Sequence, residues 1–503
     1  MIRSLHTYNL AIINNSATGT GTMVRHRILL VIYPAQGHIN PALEFAKRLI
    51  SMDAHVTLVV TVYLHNRMVN KPSIPGLSFA PFSDGHDTGF RPGDAREEEY
   101  KLYDSELKRR GSEFLSDLIT SSTEQGHPFT CLTYTLLVPW AQEVARGFHL
   151  PWAFLWVEPA TVFTILYYYF HGYDKYINEK TKEENNASSS SSSCSSISLP
   201  GLPFLLSARE LPSFLLVGRA SFLSFFVEHF KEQFQELDKE TNPTVLVNTF
   251  EALEAESLRA VDGVNMIPIG PLLPSAFLDG RKPNDTSFGG DLLQVDSNDY
   301  IEWLDSKAEM SVVYISFGSF FKISKRQREE IAMALLECGR PFLWVMKEEE
   351  ELSCMEELRE KGKIVKWCSQ VQVLSHGSVG CFVTHCGWNS TLESVVCGVP
   401  VVAFPQWSDQ MTNAKLIEQV WKIGVRVVAV EDEEEEGGGI VKGGEIKKCV
   451  EVVMESNGEK AKEMRENGEK WKMMAKDAAK EGGPSDTNLK AFLNATLSST
   501  RIS

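Results

Sequence analysis

Two copies of one alternation organise this chain, and each copy needs a parallel sheet to bury it. The first begins at Arg27 with RILLVIYPAQGHINPALEFAKRLI: an unbroken apolar run, a turn carrying Pro34 and Gly37, then an amphipathic helix. An apolar run without polar alternation is the pattern of a strand covered on both faces. Asn40 is placed as the helix N-cap and Pro41 as its first residue. HVTLVVT, His55–Thr61, supplies a second strand, and FTCLTYTLLVPWAQEVARGF, WAFLWV and PTVLVNTF continue the series. The pattern restarts with SVVYISFGS, a helix near 325–339, PFLWVM, GKIVKW, VGCFVTH and VPVVAFP. Strand, helix, strand repeated in this way predicts an α/β chain of two doubly wound, Rossmann-like domains.

Composition sets the boundaries. Residues 23–266 form the expected first domain, with a disordered loop predicted over 181–199 around SSSSSSCSS. The Pro- and Gly-rich stretch 267–290 is the expected linker. Residues 291–503 form the expected second domain, closed by a helix with Leu489, Phe492, Leu493 and Leu497 on one face. Residues 1–22 lack Asp and Glu and are rich in Ser, Thr and Asn; they are expected to be a disordered extension upstream of Met23, or a weak transit peptide. Open parallel sheets bind ligands at the carboxyl ends of their strands, so the expected site is the cleft between the domains.

The charge balance narrows the function. The net charge is −16, and much of it is local, in Glu348–Glu351 and Glu431–Glu436. Such runs read as solvated loops, and no basic stripe offers a nucleic-acid surface. The nine cysteines include no CxxC pair, which points to a reducing compartment. The apolar stretch from Trp152 to Phe170 is broken by Glu158 and Pro159, so no membrane span is expected.

The densest cluster of polar side chains is VTHCGWNSTLESVVCGVP, Val383–Pro400. A strand followed by a helix N-terminus with His385, Gly387, Asn389 and Ser390 around it is an anion-binding arrangement. Ser390 and Glu393 also fit a capping box, which needs no ligand. A zinc site drawn from Cys368, His376, Cys381, His385 and Cys386 has no ligand pair at the usual spacing. Cys386 as a nucleophile has no third group to orient it. His38 lies in the loop after the first strand, ahead of a helix N-terminus; it reads as a neutral general base or as a turn histidine without a task. Trp367 ends a strand at the ligand edge, placed to stack on a base or to pack in the core. Asp409 and Gln410 suit vicinal sugar hydroxyls. With no G-x-G-x-x-G after the first strand and no Walker lysine, NAD and P-loop readings are weak.

WCSQVQVLSHGSVGCFVTHCGWNSTLESVVCGVPVVAFPQWSDQ, Trp367–Gln410, resembles the signature of plant UDP-dependent glycosyltransferases; PAQGHINPALEFAKRL and SVVYISFGS match as well. The resemblance runs from about Met23 to the C-terminus. It implies a GT-B fold and inverting, metal-independent transfer from a UDP-α-sugar, with no cofactor beyond the donor. By resemblance Trp367 stacks on uracil, Cys368 (by its backbone) and Gln370 hold the base, and Glu393 binds the ribose. Ser319, His385, Asn389 and Ser390 would bind the diphosphate; Trp388, Asp409 and Gln410 would contact the sugar, Gln410 being of the type linked to glucose. His38 would deprotonate the acceptor. The family's Asp that orients this histidine is replaced here by Thr135, within YTLLVPW. Thr135 cannot stabilise an imidazolium by charge. A carboxylic acid acceptor, already ionised near neutral pH, would need little base; a phenol would need more. Glu158, in WVEPATV, is an acceptor-pocket candidate, placed to supply a substitute polar contact or to serve a structural role.

FSDGHDTGF, WVEPATV, YYYFHGY and IGPLLPSAFLDG resemble the anthocyanin 5-O-glucosyltransferase group, which includes enzymes acting on the carboxylates crocetin and abscisate. MVRHRILL resembles the start of those proteins and favours Met23 as the first residue. The expectation is therefore glucose transfer from UDP-glucose to a phenolic hydroxyl or a carboxylate of a small plant metabolite, by a monomer in the cytoplasm, or in the chloroplast if residues 1–22 act as a transit peptide. The alternatives are a nucleotide-sugar-binding protein with little turnover, which Thr135 motivates, and a zinc hydrolase.

Overall fold

The computed structural model describes residues 26–68, 71–90, 97–186, 196–216, 221–286, 288, 299–319, 322–347, 352–431 and 439–500. Residues 1–22, most of SSSSSSCSS and both acidic runs apart from Glu431 lie outside these.

The first half forms a seven-stranded sheet in the order β3-β2-β1-β4-β5-β6-β7. Its strands are β1 (His26–Val31), β2 (Ala54–Thr61), β3 (Leu77–Phe82), β4 (Cys131–Thr135), β5 (Trp152–Trp156), β6 (Thr244–Val247) and β7 (Asn265–Pro268). All neighbours run parallel. The second half forms a six-stranded parallel sheet ordered β10-β9-β8-β11-β12-β13. Its strands are β8 (Val312–Ser316), β9 (Phe342–Val345), β10 (Lys363–Val365), β11 (Val379–Thr384), β12 (Val401–Ala403) and β13 (Gly424–Arg426). Each sheet reverses its winding once, between β1 and β4 in the first and between β8 and β11 in the second. At such a switch point adjacent connections leave in opposite directions and open a crevice.

β4 and β8 are buried at every residue, as strands covered on both faces must be. Ile28, Leu30, Val56, Leu58 and Cys131 pack on one face of the first sheet, and Leu29, Val31, Leu132 and Tyr134 on the other. A separate cluster joins Phe250, Leu253 and Leu273 to Trp388, Leu392 and Trp421, so the stretch after β6 packs on the second domain.

Several expectations shift. The helix after β1, α1, spans Gln36–Ile50 with Ala35 as N-cap and no side-chain cap, so Asn40 caps nothing and Pro41 lies inside the helix. Residues 267 and 268 belong to β7 rather than to a linker. The loop predicted over 181–199 is helical up to Asn186 and carries a bridge at Ile197. The terminal helix, Pro484–Thr500, returns to the first sheet: Leu489, Phe492 and Leu493 join the core with Ile28 and Leu30. Ser485 Oγ donates to the Gly270 carbonyl (2.6 Å) and Asn488 to the Pro268 carbonyl (2.9 Å). Its apolar face was legible; which sheet it would cover was not, because that depends on where the chain crosses back.

Candidate functional site: the interdomain cleft

Each switch point carries a histidine. His38 stands in the first turn of α1, not in the loop ahead of it. Thr135 ends β4, the parallel neighbour of β1, and this adjacency brings its hydroxyl to 3.1 Å from His38 Nδ1. The Tyr33 backbone N–H donates to the same hydroxyl at 3.0 Å. One Thr135 lone pair is thus used, and the other can accept from Nδ1–H, which leaves His38 Nε2 bare as a base. A carboxylate would enforce that tautomer; a hydroxyl permits it. Burial lowers the His38 pKa to about 4, so the ring is neutral above that pH.

Ring contacts continue from this point. The Tyr33 ring lies 5.4 Å from the His38 ring, and its hydroxyl is 2.9 Å from that of Tyr100. Tyr100 packs on Phe225, Phe225 on Phe226, and Phe226 on Trp407, two residues before Asp409. This aromatic path links His38 to the second domain. Sequence reading missed it, because its members are scattered over some 370 positions with no common motif.

His385 follows β11 at the second switch point. Its Nε2 would lie 2.5 Å from a Cβ added at Gly318 and 2.6 Å from one at Gly387, so both turns must be glycine for the imidazole to fit. Burial, then the charge of Lys347, lowers its pKa to about 3. Lys347 Nζ donates to the Gly318 carbonyl and places a cation beside exposed Ser319, a group the motif reading had not picked out.

The helix Trp388–Cys397 has Gly387 as N-cap, so Ser390 is its third residue and the expected capping box is not formed. Its first N–H groups therefore have no intrahelical partner. Gln370 Nε2 donates to Ser390 Oγ (2.7 Å) and Glu393 Oε2 (2.6 Å), while Gln370 Oε1 accepts from Tyr314 (3.2 Å). Tyr314, on β8, was also missed; an apolar strand hides one hydroxyl. Trp367 is partly exposed two residues beyond β10, and Cys368 is buried with its thiol 3.4 Å from the Tyr314 hydroxyl.

The Trp388 indole is buried and donates to the Asn248 carbonyl of the first domain at 2.8 Å. It is a strut between domains, so its indole N–H is already used, while its backbone stands at the N-terminus of the helix. Asn389 Nδ2 donates to the Gly37 carbonyl at 3.0 Å, so the second domain's helix N-terminus stands one residue from His38. Because a carbonyl only accepts, this contact assigns the amide nitrogen.

Asp409 and Gln410 are buried at the start of the helix Gln410–Lys415, beyond the loop that follows β12. Gln410 Oε1 accepts from the backbone of Gln406 (2.9 Å) and Trp407 (3.1 Å), which points its NH2 group elsewhere. Asp409 Oδ2 accepts from Asn413 at 2.6 Å, and burial raises its pKa to about 6. Ser213 of the first domain clamps this loop: its Oγ accepts from Ser408 N–H at 2.7 Å, and its own N–H donates to the Ser408 carbonyl at 3.0 Å. Glu158, just after β5, has a buried Oε2 without a partner; burial and then the charge of Asp409 push its pKa well up.

Burial raises the Cys386 thiol to about 12, the opposite of an activated nucleophile. Among the described residues no three His, Cys, Asp or Glu side chains gather as a metal site, and no helix is long and apolar enough to cross a membrane.

Residues 225–434 match the family described as "UDP-glucoronosyl and UDP-glucosyl transferase". The chain is 54% identical over 488 residues to a phloretin 4'-O-glucosyltransferase of Malus domestica, with 94% of this chain and 98% of the relative covered. The chain belongs to the UDP-glycosyltransferase family. It is also 54% identical to a chloroplastic crocetin glucosyltransferase of Gardenia jasminoides (94% and 98% covered) and 50% identical to an anthocyanidin 3-O-glucoside 5-O-glucosyltransferase of Verbena hybrida (94% and 99% covered). Among solved structures, Os79 of O. sativa in complex with UDP superposes with a TM-score of 0.77 at 32% identity, covering 93% of this chain and all of that one. The fold is therefore GT-B, and the chain is a UDP-sugar-dependent glycosyltransferase.

Proposed function

We propose that the cleft transfers glucose from UDP-glucose to a phenolic hydroxyl, or to a carboxylate, of a small plant metabolite with inversion at the anomeric carbon. The carrying observation is the 3.0 Å bond from Asn389 to the Gly37 carbonyl, which sets a helix N-terminus fit for a diphosphate beside His38. Trp367 stacks on uracil, the Cys368 backbone and Gln370 hold its edge, and Glu393 takes the ribose. Ser319, His385, Asn389 and Ser390 take the diphosphate. Its developing charge meets the unpaired N–H groups of the donor helix and the cation of Lys347, so no metal ion is required. The Trp388 backbone, Asp409 and the Gln410 amide hold the glucose.

The acceptor lies along the aromatic path with its nucleophilic oxygen at His38 Nε2. His38 accepts the acceptor proton as the oxygen attacks the anomeric carbon and UDP leaves. Thr135 orients the imidazole without charge, so the site favours acceptors that give up a proton readily. Glu158, whose burial and whose neighbour Asp409 favour its protonated form, offers a hydrogen-bond donor at the sugar end. The phloretin, anthocyanidin and crocetin named for the relatives span both acceptor classes. The enzyme works as a monomer in the cytoplasm, or in the chloroplast where the Gardenia relative is named.

The test is UDP release from UDP-glucose with a panel of phenols and carboxylic acids, followed by mild alkali, which cleaves glucose esters and spares ethers. Tight UDP binding without UDP release across the panel would overturn the reading.

A further inference from the structure

We propose that Pro41 is a positioning residue: its missing amide hydrogen leaves the Gly37 carbonyl open, and Asn389 uses that carbonyl to tie the turn carrying His38 to the donor helix. The proposal rests on the donor-site reading above. In an α-helix the carbonyl of residue 37 is the acceptor for the N–H of residue 41. Here residue 41 is a proline in the interior of α1. It has no N–H to give, and its ring crowds that same carbonyl. A helix interior is a costly place for proline, so its presence in the turn next to His38 calls for a reason. The reason lies across the cleft, where Asn389 Nδ2 stands 3.0 Å from the Gly37 oxygen.

The Asn389 amide carries two N–H groups. One is used on Gly37, and the second remains for a phosphate oxygen. One side chain thereby bridges the backbone beside His38 and the group that departs with the leaving nucleotide. Separation of base and donor sugar is then fixed by a hydrogen bond between domains rather than by packing alone. An alanine at 41 would restore the internal bond 41 to 37 and compete with Asn389 for the carbonyl, while improving the helix.

The direct test is hydrogen–deuterium exchange over residues 36–50 without nucleotide in wild type, P41A, N389A and P41A/N389A. N389A should speed exchange of this turn several-fold in the wild type and have no effect in the P41A background. With UDP as the probe, calorimetry should give the same Kd for P41A and wild type, within about twofold. UDP should slow exchange of the turn in the wild type and do so much less in P41A. In turnover, P41A should lower kcat about 2- to 10-fold, the range for one hydrogen bond, with the KM for UDP-glucose unchanged. Equal effects of N389A in both backgrounds would overturn the tie. Failure of the wild type to bind UDP would overturn the donor-site reading instead, and the nucleotide-free exchange would still decide the tie.

Discussion

The β1–α1 turn and the β11–donor-helix turn use the same part in opposite surroundings. Each places a neutral histidine at the switch point of a parallel sheet. His385 is wedged against Gly318 and Gly387, with a lysine beside it. The helix that follows is locked by Gln370, Tyr314, Ser390 and Glu393 and strutted to the first domain through Trp388. His38 has a hydroxyl partner in Thr135, a pKa lowered by burial, and aromatic rings beyond. In the proposed function the donor turn holds one rigid, anionic ligand. The acceptor turn there moves a proton, and its weak buttress leaves part of that task to the acidity of the acceptor.

Four substitutions sharpen this contrast. Trp388→Ala deletes a buried indole and orphans the Asn248 carbonyl. It should cost about 3–5 kcal/mol of stability in urea denaturation; a loss below about 1 kcal/mol would mean that the strut is ornamental. Glu393→Ala should weaken UDP binding roughly 10- to 100-fold by calorimetry and leave kcat near the wild-type value, since the interaction is present in ground and transition states alike. Thr135→Asp gives His38 the missing charge. An adjacent carboxylate raises a histidine pKa by roughly 1–3 units. The acid limb of the pH–rate profile should therefore move up from about 4, and phenol transfer should speed up about tenfold.

The smallest effect concerns Glu158 and Asp409. Both carboxyls have folded pKa values raised above those of an unfolded chain, Asp409 to about 6. The native state thus holds protons that the unfolded state releases. This pair's contribution is complete below about pH 4 and is lost as pH rises through 6 and beyond. The KM for UDP-glucose should rise about threefold from pH 6 to pH 8 in the wild type and clearly less in Glu158→Gln, where Asp409 alone still titrates; parallel profiles would separate Glu158 from the sugar site.

The two doubly wound sheets were legible because parallel strands advertise themselves as apolar runs, and β4 and β8 are buried throughout. The clustering of the proposed donor residues was legible because one strand, one turn and one helix carry most of them in contiguous sequence. The acceptor side resisted for the converse reason: Tyr33, Tyr100, Phe225 and Trp407 meet only through tertiary structure. Pro41 misled, since a proline after an asparagine reads as a helix start, and the ring that normally marks the first turn sits here six residues in. The strut through the Trp388 indole was not legible, because motif position says nothing of where an indole points. Glu158 follows a strand and Asp409 caps a helix some 250 residues on, and nothing in their spacing shows that their charges repel.

If His38 is the base of the proposed reaction, its importance depends on the acidity of the acceptor. His38→Ala and wild type should be compared for UDP release at saturating UDP-glucose, with one phenol and one carboxylic acid that the wild type turns over. The expected loss is about 100-fold or more with the phenol and much smaller with the acid, which arrives ionised. Equal losses with both acceptors, or unchanged phenol turnover, would contradict it.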